Sequence, residues 1–214
     1  MNKTVLKVLA VAAVLSPVAV WVVRAQSKPT TATYISKEEI DAVSKSEQDK
    51  STQDMNIKIM DLGYEHMSVG LIHRASTRNR PANAGGGGGG NQPPAEACGR
   101  HMDTLPPGGQ PGGLTHDFQT EGYYIVSGGG TLFTDGYLVN GRHTDIEPNG
   151  WSCGGTAYGV KKVEVKQGDV VIVPPGTVHG WSDIPDHVDY LSFRPSQSAL
   201  QAGWVNPLIQ SMKP

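Results

Sequence analysis

Cysteine is scarce: two residues in 214 cannot build a disulfide framework, so a hydrophobic core has to carry the fold. With no Cys-x-x-Cys pair, neither a redox couple nor a zinc knuckle is indicated. A basic surplus is also missing. The 18 Lys and Arg against 20 Asp and Glu leave a formal charge of −2, which argues against a nucleic-acid partner. No Gly-x-Ser-x-Gly turn is present to expose a serine nucleophile. The six-glycine run Gly85–Gly90 has no Lys-Ser or Lys-Thr after it and is not a phosphate cradle. Glycine and proline, by contrast, are plentiful, with 27 and 15 residues making a fifth of the chain. That composition disfavours a helical bundle and favours a β-rich domain with many turns, and the length suits one domain.

The single long apolar run lies at the N-terminus. Asn2–Lys7 is a short basic start, Val8–Val23 is apolar apart from Ser16 and Pro17, and Val23-Arg24-Ala25 offers a signal-peptidase site. The run reads as a signal peptide, residues 1–25, cut after Ala25 to leave an exported chain, periplasmic or secreted. An uncleaved anchor is the rival reading, since 16 apolar residues fall just short of the roughly 20 that span a bilayer. Pro17 in mid-run and the Ala25 site favour cleavage, with no stable membrane insertion afterwards. Removing Lys3, Lys7 and Arg24 leaves 15 basic against 20 acidic groups, a mature charge of −5. In an oxidising compartment Cys98 and Cys153 are expected to pair; two separate buried thiols are the alternative.

Residues 26–55 read as an N-terminal extension. Within it, Ser36-Lys37-Glu38-Glu39 is a capping box opening a short helix to about Lys45, with Ile40 and Val43 on one face. Asn56–Leu62 and His66–His73 form an expected antiparallel pair turning at Gly63-Tyr64. Residues 75–113, rich in glycine and proline, are expected to be mostly a mobile loop. Beyond Leu114, short strands are expected at Gly122–Val126, Thr131–Phe133, Tyr137–Val139, Val160–Lys166, Asp169–Val173 and Val188–Phe193. Gly128-Gly129-Gly130 divides the first two, and Val163 and Val165 point inward. So many strands with no helix between them argue for an all-β sandwich or barrel over about 56–200, followed by a C-terminal tail, 201–214.

Two segments carry chemistry. One is His116-Asp117-Phe118-Gln119-Thr120-Glu121, with Gly128 six residues on; the other is Gly168, then Pro174-Pro175-Gly176-Thr177-Val178-His179. Two His and one carboxylate can hold one face of a divalent metal and leave positions open. Strand alternation puts Tyr123 on the face of Glu121, and Trp181 and Asp183 on the face of His179, as candidate pocket residues. Arg74 and Arg194 could meet an anion, but the reading prefers solvated strand ends. His66, His73 and His187 are read as strand or loop residues without a role.

These segments resemble the two motifs of the cupin superfamily. The first, Gly-x5-His-x-His-x3–4-Glu-x6-Gly, is matched by His116, Glu121 and Gly128; the second, Gly-x5-Pro-x-Gly-x2-His-x3-Asn, by Gly168, Pro174, Gly176 and His179. The resemblance covers about 110–195. It implies a cupin-type (jelly-roll) β-barrel, a metal on His116, Glu121 and His179, and often a homodimer. Two positions depart from it: Leu114 stands where the family usually has a further His, and Asp183 where it has Asn. His101, His143 or Asp183 would have to substitute for the missing ligand.

The function expected is an exported protein that binds a small polar molecule in its barrel, at a divalent transition metal (Fe, Mn, Zn, Ni or Cu) held by His116, Glu121 and His179. The alternative is a metal-dependent enzyme of dioxygenase, isomerase or decarboxylase type acting on such a molecule. A third class, a cell-envelope interaction module, would use the 75–113 loop as its contact surface.

Overall fold

The computed structural model describes residues 31–46, 52–78, 96–146, 149–197 and 200–212. The export-signal reading of 1–25 and the six-glycine run lie outside the described residues. Among the described residues no helix is long and apolar enough to cross a membrane.

The helix forms where the capping box predicts it. In α1 (Lys37–Lys45), the Ser36 hydroxyl accepts from the Glu39 backbone N–H at 3.2 Å, and the Ser36 N–H donates to the Glu39 carboxylate at 2.9 Å. Val43 is wholly buried and packs with Ile57 and Ile209 in a small core outside the barrel. Glu39, also buried, pairs with Lys58 at 2.7 Å and so ties the helix to the first strand, Thr52–Asp61.

The remaining elements are β1 (Thr52–Asp61), β2 (His66–Ala75), β3 (Ala97–Cys98), β4 (Gln110–His116), β5 (Glu121–Thr134), β6 (Tyr137–Ile146), β7 (Gly150–Tyr158), β8 (Lys161–Lys166), β9 (Val170–Val173), β10 (His179–Asp183) and β11 (His187–Ser196). All pairs of these strands are antiparallel. One sheet runs β1-β2-β11-β5-β9; the other runs β8-β5-β10-β4-β7-β6-β3. Strand β5 belongs to both. Its first half pairs with β11 and β9, and its second half with β8 and β10. The central core lies between the sheets and is built from Ile72, Tyr123, Ile125, Leu132, Val165, Val188 and Tyr190.

Several expectations are corrected. Gly128-Gly129-Gly130 does not end a strand but bends one. Gly128 has φ +66°, and a Cβ there would stand 2.0 Å from the His187 carbonyl oxygen, so only glycine lets β5 pass between the sheets. Residues 96–113, expected inside a mobile loop, are anchored. β3 pairs with β6, the Arg100 N–H donates to the Leu138 carbonyl at 2.8 Å, and its guanidinium lies 3.7 Å from the Tyr137 ring centroid. Val163 does not point inward with Val165; it is 50% exposed, because β8 is an outer strand paired only with β5. The stretch 201–212 is no loose tail. Trp204 and Asn206 exchange backbone hydrogen bonds with Ile59 and Ile57, extending the pairing beside β1.

Candidate metal centre

Both motif segments converge inside the barrel. His116 ends β4, Glu121 begins β5 and His179 begins β10, and all three are buried. The turn Pro174-Pro175-Gly176 brings them together. Gly176, at φ +71°, donates its N–H to the His116 carbonyl at 2.8 Å, and His179 follows three residues later. The glycine and prolines of the second segment thus hold the backbone of the first.

Glu121 is the centre of the cluster, and its two oxygens do different work. Oε1 accepts from Arg194 Nε at 2.6 Å, from Arg194 Nη2, and from the Ser192 hydroxyl at 3.4 Å. Oε2 accepts from the Tyr123 hydroxyl at 2.6 Å and faces His179 Nε2 at 3.1 Å and His116 Nε2 at 3.4 Å. Burial, the largest single influence, pushes the Glu121 carboxyl up. The Arg194 charge and the contacts with both imidazoles outweigh it and hold Glu121 well below the usual carboxylate range. Burial and the neighbouring carboxylate raise Tyr123 well above its ordinary value, so the phenol keeps its proton and donates it.

The His179 ring fixes its own tautomer. Nδ1 donates to the Thr177 carbonyl at 3.0 Å, leaving the Nε2 lone pair aimed at Glu121 Oε2. A lone pair facing a carboxylate oxygen that already accepts from Tyr123 needs a cation between them. An imidazolium proton supplies one; a metal ion supplies the other. The spacing fits the metal. Two ligands about 2.1 Å from one ion, at 90–110° to each other, stand roughly 3.0–3.4 Å apart. Nε2 of His116, Nε2 of His179 and Oε2 of Glu121 form the set of two imidazoles and a carboxylate that suits a divalent transition metal.

The other candidates fall elsewhere. Tyr123 is in the cluster. Trp181 is half-buried against the central core, its ring 6.0 Å from Tyr190. Asp183 leaves that face because β10 has a bulge between Trp181 and Asp183, which cancels the two-residue alternation; it pairs outward with Arg78 at 2.7 Å. Leu114 lies opposite His179, and among the described residues no further His joins the group of His116, Glu121 and His179. His101 is exposed beside Asp103, and His143 contacts Asp117 at 3.3 Å. His143 also lies near Cys98 and Cys153, but those sulfurs are joined in a disulfide, with a Cα–Cα distance of 6.1 Å, and are not free to ligate.

Sequence reasoning missed Arg194. It is no solvated strand end: the guanidinium is buried between Glu121 and Asp54, with Nη1 and Nη2 donating to Asp54 at 3.0 and 2.6 Å. The signal was present in β11, where Val188, Tyr190, Ser192 and Arg194 alternate onto one buried face.

No family model matches the chain, and neither does any curated protein. Among solved structures, a cupin protein from Bacteroides fragilis is 18% identical, with 64% of this chain and 72% of that one covered and a TM-score of 0.31. An uncharacterized conserved protein with a double-stranded β-helix domain, from Klebsiella pneumoniae, is 14% identical over 68% and 80%, with a TM-score of 0.33. A recombinant oxalate oxidase in complex with glycolate is 12% identical over 81% and 59%, with a TM-score of 0.34. At these values the likenesses carry no part of the assignment. The two sheets and the bent strand they share define an all-β antiparallel jelly-roll barrel, with both motif segments meeting inside it.

Proposed function

We propose that this is an exported protein that binds a small polar molecule in its barrel, at a divalent metal ion held by His116 Nε2, His179 Nε2 and Glu121 Oε2. The observation that carries the metal is the convergence of three buried donor atoms, with His179 held at Nδ1 by the Thr177 carbonyl so that Nε2 faces the Glu121 oxygen at 3.1 Å. When bound, such an ion polarises an oxygen of the ligand. The chain's own groups prepare the site. Thr177 orients one imidazole, Arg194 holds Oε1 so that only Oε2 is presented, and Tyr123 donates to that same oxygen. Export is supported by the Val8–Val23 run and by the disulfide, which belongs to an oxidising compartment.

The test is to strip the protein with chelator and follow its melting temperature with Mn, Fe, Co, Ni, Cu or Zn added. At 100 times Kd a bound ion adds about 2.7 kcal/mol. At least one ion should raise the parent's melting temperature and none should raise that of His179→Ala. A parent that responds to no ion contradicts the proposal. A homodimer belongs to the same reading. Tyr124, Val170, Ile172 and Phe193 are exposed on one face of the β11-β5-β9 sheet, which suits a second copy. Sedimentation showing a monomer for both the parent and Ile172→Lys would remove it.

A further inference from the structure

Around the barrel interior Arg194 is hydrogen-bonded to both Asp54 and Glu121, whereas the hydrogen bond of Arg74 goes to a phenol. Arg74 alternates with the fully buried Ile72 on β2 and so faces inward, opposite Val188. Its Nε donates to the Tyr190 hydroxyl at 3.0 Å. The Tyr190 ring stands 4.4 Å from the ring of Tyr123, whose hydroxyl is on Glu121, so two aromatic rings link Arg74 to the metal-ligand cluster. The bond to Tyr190 fixes the plane of the guanidinium. Among the described residues, no carboxylate lies within ion-pair distance of Arg74, and Nη1 and Nη2 have no hydrogen-bond partner. The side chain is half-buried, so this unbonded edge of the fork is the part an incoming group can meet.

We propose that Arg74 is the residue through which the barrel recognises a carboxylate on its ligand. The inference deepens the reading of a small polar ligand and rests on it, but not on the metal. Two coplanar N–H groups match the two oxygens of a carboxylate. A phosphate would bring more charge and more acceptors than one fork satisfies, close to the negative charges of Asp54 and Glu121. Trp181, half-buried and 6.0 Å from Tyr190, supplies a flat apolar wall for the rest of a small acid.

The test uses acetate and malonate as probes, with acetamide and malonamide as neutral isosteres, read by calorimetry and by the 15N–1H signal of Arg74 Nε. Both carboxylates should bind and shift that signal while the amides do neither. Arg74→Met should weaken carboxylate binding about 10- to 100-fold. Arg74→Lys, which keeps the charge but loses the fork, and Tyr190→Phe, which frees the plane, should each fall between the parent and Arg74→Met. Equal binding of amides and carboxylates, no binding of either, or unchanged carboxylate affinity in Arg74→Met overturns the proposal. If Arg74→Met does not fold, unchanged affinity in both Arg74→Lys and Tyr190→Phe overturns it instead. Repeating the titration on His179→Ala separates the two readings. Carboxylate binding that survives there while the parent takes up no metal leaves Arg74 standing and the metal fallen. Metal uptake by the parent without a carboxylate response removes the Arg74 proposal alone.

Discussion

Arg194 decides how the centre of the barrel is held. Its guanidinium is 1% exposed and bridges two carboxylates, so its positive charge is compensated and offsets one of their two negative charges. Removing one member of such a set leaves buried charge unpaired, which costs about 3–5 kcal/mol. Arg194→Met should therefore lower unfolding stability by that amount in a denaturant titration; a loss under about 1 kcal/mol would mean the charges are solvated. Acid acts on the same group. Because Glu121 titrates well below its ordinary value in the folded chain, the stabilisation it provides is complete above the usual carboxylate range and is lost as pH falls through the depressed folded value. Metal-free parent should lose stability steeply as pH falls below the ordinary glutamate value of about 4.3, and Glu121→Gln should flatten that part of the profile. Equal slopes for the two proteins would contradict this.

At the scale of elements, the glycines of β5 and of the β8–β9 turn separate two roles. Gly128 and Gly168 both have positive φ, at +66° and +89°. An added Cβ at Gly168 meets open space, whereas at Gly128 it meets the His187 carbonyl. Gly168→Ala should cost only the backbone preference, about 1–2 kcal/mol. Gly128→Ala should cost clearly more, because the bend of β5 has to move; similar values in thermal melts would show that the bend is not set by this contact. The same bend explains what was legible in the sequence and what was not. The strands on either side of the glycines could be read from alternation, and the turns from Gly and Pro. Their continuity through Gly128–Gly130 depends on which distant strands pair with each half, and local pattern does not hold that information. Asp183 was misplaced for a related reason, since one bulge residue shifts every later side chain to the other face. His116, Glu121 and His179 were legible because motif spacing fixes them. Arg194's partner Asp54 lies 140 residues away and had no local signal.

For the whole molecule, the disulfide Cys98–Cys153 spans 55 residues and fastens β3 and the stretch before β4 to β7. In the loop-entropy model a closure of that length is worth about 4 kcal/mol. The Cys98→Ser, Cys153→Ser double variant should melt roughly 8–16 °C below the parent. A shift of only 1–2 °C, within the lower edge of what ~0.5 kcal/mol gives, would mean that the barrel is held without the bridge. The site itself lies at the meeting of three strands from that assembled barrel, so metal content reports on fold and chemistry together. Elemental analysis of residues 26–214, purified without a histidine tag beside His116→Ala and His179→Ala, is the most direct test. The account predicts near-stoichiometric Fe, Mn, Zn, Ni or Cu in the parent and its loss in both folded variants; a parent that holds no metal even after reconstitution contradicts it.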